Sequence, residues 1–212
     1  MRDIPLFTTE NGIANLILRE IPYRAVAYVR IRETDDAETL IGECRDFCRS
    51  AGARKVYGMG HPALERYPFH TAMLRMERVR QSLPETDAVC RPVTEETLEF
   101  WRELYNRKMA SVPNSAYMTI EDARKMLEKK DGYFAFREES MLGIGIASDG
   151  ELKLLASTAP GAGADVALAL MALLDSEKVT LEVASANSKA MALYNRLGFT
   201  EAEELSRWYE IL

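Results

Sequence analysis

The sequence predicts an α/β fold built on a mixed sheet, an antiparallel meander followed by a β-α-β-α-β run. Three observations carry that expectation. Links at 138–140 and 148–151 join three strand-like runs and are short enough for hairpins. A small-residue loop at 158–163 then leads into an apolar helix at 164–174. Beyond it, 179–184 reads as a strand, 187–197 as a helix and 205–211 as a last strand.

At 212 residues the chain suits one large domain or two small ones. Its 47% hydrophobic and 28% charged residues are ordinary globular usage, which excludes disordered and collagen-like classes. The longest apolar run, 166–174, falls well short of the roughly 20 residues that cross a bilayer. MRDIPLFTTENG lacks the apolar centre of a signal peptide. A net charge of −6 argues against general binding to nucleic acid or an anionic membrane. A cytoplasmic protein is the expectation. Three cysteines make an odd number, so a disulfide framework is not expected. Cys44 and Cys48 lack the further ligands zinc needs, and His61 and His70 lack paired spacing, so no metal is expected.

In the first part, 14–20 and 25–32 read as strands separated by a turn at Pro22. Residues 36–50 form a helical pattern with Leu40, Cys44, Phe47 and Cys48 on one face, ended by Gly52. Short strands follow at 55–58 and 71–76, and the polar run QSLPETD at 81–87 is a linker candidate. Two regions result, 1–85 and 86–212.

The second region opens with a strand at 88–92. Thr94 is a candidate cap for a helix with Leu98, Trp101, Leu104 and Tyr105 on its apolar face. A loop at 111–116 precedes a second helix, 120–130, capped by Thr119 and ended by Gly132. Strands at 133–137, 141–147 and 152–157 complete the meander.

The loop S-T-A-P-G-A-G-A-D carries the first chemical signal. Gly161 and Gly163 allow unusual backbone angles and close approach of a ligand. Unpaired N–H groups at the next helix's start, with the positive end of its dipole behind them, suit a phosphate or pyrophosphate. The plainer alternative is a glycine turn that enters a helix and binds nothing. No third glycine completes a dinucleotide fingerprint, and no Gly-Lys-Ser/Thr completes a P-loop.

Residues 181–199, LEVASANSKAMALYNRLGF, resemble the last signature of the GNAT acetyltransferase superfamily. The matching positions are Leu181, Val183, Asn187, Ala190, Leu193, Tyr194, Gly198 and Phe199. The resemblance implies a GNAT-like mixed sheet over about 88–212 and acetyl-CoA as co-substrate, held in a V between 152–157 and 179–184. It implies that backbone groups of Leu155, Ala156 and Ser157 pair with the pantetheine arm as an added strand. The loop at Thr158, Gly161, Ala162, Gly163 and Ala164 would take the pyrophosphate. Asn187 would contact the cofactor arm, and Tyr194 would give a proton to the departing thiolate.

The implied activity is N-acetyl transfer to a primary amine by direct attack. The alternative is a non-catalytic acyl-CoA-binding or regulatory module. The family's usual Arg or Gln in the loop is absent: its place falls on Thr158, or on Pro160 in a second register, and Asp165 threatens phosphate with repulsion. For Asn187 the competing role is a helix cap, and for Tyr194 core packing. Glu138, Glu151 and Glu182 are carboxylates near the expected site, but none is placed as a base. The acidic balance favours a cationic amine acceptor, small molecule or protein, and the chain is expected to be a monomer or homodimer.

Residues 1–85 echo the second region: strand, helix, strand, then LERYPFHTAMLRM, with His61 roughly where Asn187 stands. No glycine loop lies between Arg32 and Asp36. The expectation is a partial, degenerate GNAT-like half that holds no CoA and covers a sheet edge or shapes the acceptor site. The alternative is an unrelated α/β cap.

Overall fold

The computed structural model describes residues 1–80 and 83–212. Gln81 and Ser82 of the expected linker therefore lie outside the described residues, and 83–88 are irregular. The described chain divides into two compact units, 1–73 with 204–212, and 74–203.

In the first unit, β1 (Ile4–Thr9) and β2 (Gly12–Ile17) form a hairpin. The sequence suggested one strand at 14–20. β1 was hidden because Pro5 interrupts a run with no clean alternation. A single helical turn, α1 (Ile21–Arg24), has its proline in the first turn and closes at Ala25 with φ 54. Then come β3 (Val26–Thr34), α2 (Ala37–Ser50) and β4 (Lys55–Met59). Leu40, Ile41, Cys44 and Cys48 of α2 form one core cluster with Ala27, Val29 and Ile31 of β3. Burial there pushes the Cys44 and Cys48 thiols up to about 12, so they remain protonated packing groups. β3 and β4 are parallel and in continuous register from Val26↔Lys55 to Arg30↔Met59. His61 caps a 3-10 turn at Pro62–Arg66, its Nδ1 accepting from the Ala63 N–H at 3.2 Å. β5 (Phe69–Val79) starts in this unit and ends in the other.

The second unit holds β6 (Val89–Pro92), α3 (Leu98–Met109) and α4 (Ile120–Lys129). The meander follows as β7 (Gly132–Arg137), β8 (Ser140–Ser148) and β9 (Glu151–Ser157), all antiparallel. Asp149 and Gly150, with φ 56 and 75, give the β8–β9 hairpin the turn that suits right-handed strand twist. α5 (Gly163–Ala172), β10 (Lys178–Ala184), α6 (Ser188–Arg196) and β11 (Thr200–Glu210) complete the chain. Two helix ends differ from expectation. α3 starts at Leu98 because the Thr97 hydroxyl accepts from the Thr94 N–H at 3.0 Å, building a turn before the helix. α4 stops at Lys130, with φ 56, and Gly132 already belongs to β7.

Strand order explains why the unit division departs from the expected 85/86 boundary. In the first unit the end of β11 lies beside β4, pairing Tyr209↔Gly58 and Glu210↔Tyr57. In the second unit the end of β5 lies beside β10, where Glu77 meets Lys178 at 2.6 Å. The first unit thus takes in the last strand from the far end of the chain, and the second takes in the end of β5 from before the expected boundary. Leu74 and Met76 of β5 are buried in the second unit. A truncated chain beginning at Thr86 loses that strand and leaves the β10 edge bare, so it is expected to show no cooperative thermal unfolding by circular dichroism. A melt as sharp as that of the full chain would overturn this dependence.

Candidate active site

A cleft opens in the second unit because β9 and β10 do not stay together. They are parallel, with the register pair Thr180↔Glu151 at their start. On β9, Lys153 is an extra residue: Ile146 pairs with Leu154 and Ala147 with Leu152. Such a bulge bends its strand and increases the twist. Past it, β9 keeps its register with β8 through Gly143↔Ser157 but has no further register pair with β10. Backbone groups on that edge of 154–157 are left for another partner. Leu155, Ala156 and Ser157 line a cavity of about 530 Å³ there.

The N-terminus of α5 faces the same cavity. Gly161 has φ 78, and a Cβ built on it would meet nothing within 4 Å. Gly161, Gly163 and Ala164 line the cavity. Ala162 starts α5 with no side-chain cap, and the first intrahelical bond runs from Val166 N to Ala162 O. The N–H groups of the first turn therefore face the cavity without an intrahelical partner. α5 reaches this depth because β8 carries glycines: a Cβ on Gly143 would stand 2.8 Å from a Val166 methyl and 2.5 Å from the Ala156 carbonyl oxygen. Gly163 does the same for α6, since its Cβ would sit 3.1 Å from Leu193 Cδ2.

Of the expected site residues, Thr158 and Ala162 support the loop and are not among the cavity walls. The Thr158 hydroxyl donates to the Met141 carbonyl at 3.0 Å, and Ala162 is buried. Asn187 lines the cavity and also caps α6, its Oδ1 accepting from the Ala190 N–H at 3.2 Å. The cap uses the oxygen and leaves the amide nitrogen as the group's donor. Tyr194 lines the cavity at 7% exposure, its ring edge-on to Phe199 at 5.8 Å. Its hydroxyl makes no hydrogen bond to any described residue, and burial pushes its pKa up to about 12.

Asp165, the acid beside the glycine loop, is paired away from the cavity. Asp165 meets Arg137 at 3.1 Å and Thr86 Oγ1 at 3.2 Å, and it does not line the cavity. Three cations that sequence reasoning passed over line the cavity. Lys189 and Arg196 line the cavity with Leu193 between them, at helical spacing on one face of α6. Lys108 lines it from the end of α3. None of the three makes an ion pair among the described residues. The i, i+4, i+7 spacing of 189, 193 and 196 was the available signal. Glu138, Glu151 and Glu182 are not lining residues, and Glu182 instead meets Arg75 at 3.3 Å. Among the described residues, no group of three or more His, Cys, Asp or Glu is placed to hold a metal, and no helix is long and apolar enough to cross a membrane.

The two uses of Asn187 can be separated. Asn187→Ala is expected to cost about 1 kcal/mol in urea unfolding, the usual value of such a cap. Asn187→Ser should recover most of that stability. Full loss in Ser as in Ala would show that the side chain does more for the fold than cap α6.

No protein-family model matches the sequence, and no curated protein does. Solved structures do match. A GCN5-related N-acetyltransferase from Sphaerobacter thermophilus superposes at TM-score 0.56 with 13% identity, over 93% of this chain and 75% of its own. A GCN5-related N-acetyltransferase from Anabaena variabilis gives 0.55 and 13%, over 94% of this chain and 59% of its own. A functionally unknown conserved protein from Staphylococcus epidermidis gives 0.57 and 10%, over 96% and 91%. At such identities the likeness concerns the fold. The chain has a GNAT-like α/β fold.

Proposed function

We propose that the second unit binds acetyl-CoA in the cleft between β9 and β10 and transfers its acetyl group to a primary amine. The observation that carries this reading is the divergence of β9 from β10 directly beside the open N-terminus of α5. An extended amide-bearing arm fits the unpaired edge at Leu155–Ala156–Ser157 as an added strand. The diphosphate fits the N–H groups at Gly161, Gly163 and Ala164, with Lys189 and Arg196 supplying the positive charge the loop itself lacks. The donor thioester supplies an activated acyl carbonyl.

Tyr194 holds a proton at its hydroxyl throughout the physiological range, since its pKa is raised to about 12. It can therefore donate to a departing sulfur but cannot act as a base. Against a thiol near 8.5 in water that donation is uphill by about 5 kcal/mol. The gap narrows where the sulfur is desolvated by the same burial that raised the phenol. A non-catalytic binding module is the second reading, favoured by the lack of any carboxylate among the lining residues.

The first unit carries the same strand-helix-strand order with neither feature. β3 and β4 stay in register through five pairs, and the Asp36 carboxylate occupies the N-terminus of α2 by accepting from Thr39 N at 3.1 Å. One cofactor per chain follows, with the first unit as a closed, degenerate half.

Calorimetric titration with acetyl-CoA tests the site, with one equivalent bound per chain as the expected result. Lys189→Ala with Arg196→Ala should weaken binding about tenfold or more and reduce its salt dependence. Absence of binding at about millimolar ligand would remove the cofactor assignment. Tyr194→Phe should retain binding and lose about a hundredfold or more in turnover. Turnover unaffected by that change would leave Tyr194 without the acid role, and a wild-type protein that binds but turns over nothing would favour the second reading.

A further inference from the structure

We propose that the acceptor is a primary amine that also carries an anionic group, a carboxylate or a phosphate, received by Lys108 and Ser111. The inference rests on the acetyl-transfer reading above. The charged side chains lining the cavity are Lys108, Lys189 and Arg196, and no carboxylate lines it. Lys189 and Arg196 belong to the diphosphate, because α6 runs against the N-terminus of α5 at the Gly163–Leu193 approach. Lys108 comes from another direction. The residue after it, Met109, packs in one core cluster with Ala156 of β9, on the α3 side of the sheet.

Among the described residues nothing uses the Lys108 charge. It pairs with no described carboxylate, and Arg107 in the same last turn already provides a cation favoured at a helix C-terminus. The Met109 carbonyl at that helix end is taken by Val112 N at 3.1 Å and Ser115 Oγ at 2.6 Å. Ser111 lies three residues on, exposed and lining the cavity, and its hydroxyl bonds to no described residue. The segment presenting these two donors is fixed at both ends. Tyr105 Oη donates to Ala116 O at 3.0 Å, and the Asn106 amide exchanges bonds of 3.0 and 2.8 Å with Met118. An ammonium and a hydroxyl held this way are suited to an anion.

The same charges bear on the nucleophile. With Lys189 and Arg196 committed to the diphosphate, Lys108 is the cation an incoming amine meets, and its charge disfavours the ammonium form and lowers the amine's pKa, which helps a site with no lining carboxylate to act as base. In the transfer the amine nitrogen bonds to the acyl carbon and the C–S bond breaks. The sulfur takes the Tyr194 proton, the amine's proton leaves to water, and water restores the tyrosine. A polyamine brings further positive charge to this wall, whereas an acidic amine brings the compensating one. The chain's net −6 carries little into the cavity, since exposed charges more than about 8–10 Å away are largely screened.

The test measures kcat/KM for acetyl transfer to glutamate, glucosamine 6-phosphate, spermidine and the lysine side chain of a blocked, uncharged peptide. Acetyl-CoA binding is followed separately by calorimetry. The expected result is a preference of at least about tenfold for one of the two anionic amines, and which one identifies carboxylate or phosphate. Lys108→Ala should remove that preference through KM with acetyl-CoA affinity unchanged, and Lys108→Glu should reverse it toward spermidine. Preference of the wild type for spermidine or the lysine side chain would overturn the proposal. So would loss of acetyl-CoA affinity in Lys108→Ala with acceptor preference intact, or binding of acetyl-CoA with transfer to none of the four. Failure to bind acetyl-CoA at all would instead overturn the parent reading.

Discussion

The separation of β9 from β10 is the constraint on which the rest of the second unit depends. A parallel pair that stayed zipped would satisfy its own backbone groups and leave nothing for a ligand. The bulge at Lys153 prevents this by turning β9 after its one register pair with β10. The cost is an edge of unpaired N–H and C=O groups, tolerable where a strand-like ligand completes it. Every other feature of the cleft is placed by reference to that edge. Gly143 lets α5 lie close on β8, which sets the α5 N-terminus at the end of β9, and Gly163 then lets α6 approach α5.

The first unit serves as an internal control for this argument. It has a parallel strand pair joined by a helix, the local plan of the second unit, yet β3 and β4 pair along Val26–Arg30 without a bulge. Its helix start is closed by Asp36, whose side chain takes the place an anion would need. His61 and Asn187 stand at comparable points and both cap the following turn. The local difference between the two units thus reduces to one inserted residue and the replacement of a glycine loop by a capping aspartate.

Much of this was legible in the sequence, and the exceptions have physical reasons. The meander, the glycine loop and the α6 signature follow from local chemistry: Asp149-Gly150 for the hairpin, Gly161 for the left-handed turn, Asn187 for the cap. The bulge was not legible, because Lys153 among leucines reads as ordinary alternation until its partner strand is known. Strand exchange was hidden for the same reason: which strand lies beside β4 or β10 depends on pairings between distant segments. Hence a boundary placed at a polar, proline-containing run fell after β5, a strand that finishes in the second unit. Asp165 looked harmful in one dimension because Arg137, which pairs with it, is distant in sequence.

Charge shows most clearly where composition misleads. A net −6 says how the chain acts on ions several ångströms from its surface, and it pointed to a cationic acceptor. At contact, the sign is set by the few groups that reach the cavity, and here they are Lys108, Lys189 and Arg196. Acidic residues nearby are already committed: Asp165 to Arg137, Glu182 to Arg75, and Asp87 to Arg137 at 2.7 Å. Pairing therefore removes negative charge from the neighbourhood and leaves positive charge inside the cleft. An acidic protein can in this way maintain a basic cleft, and burial keeps the Tyr194 phenol that lines it protonated, its pKa pushed up to about 12.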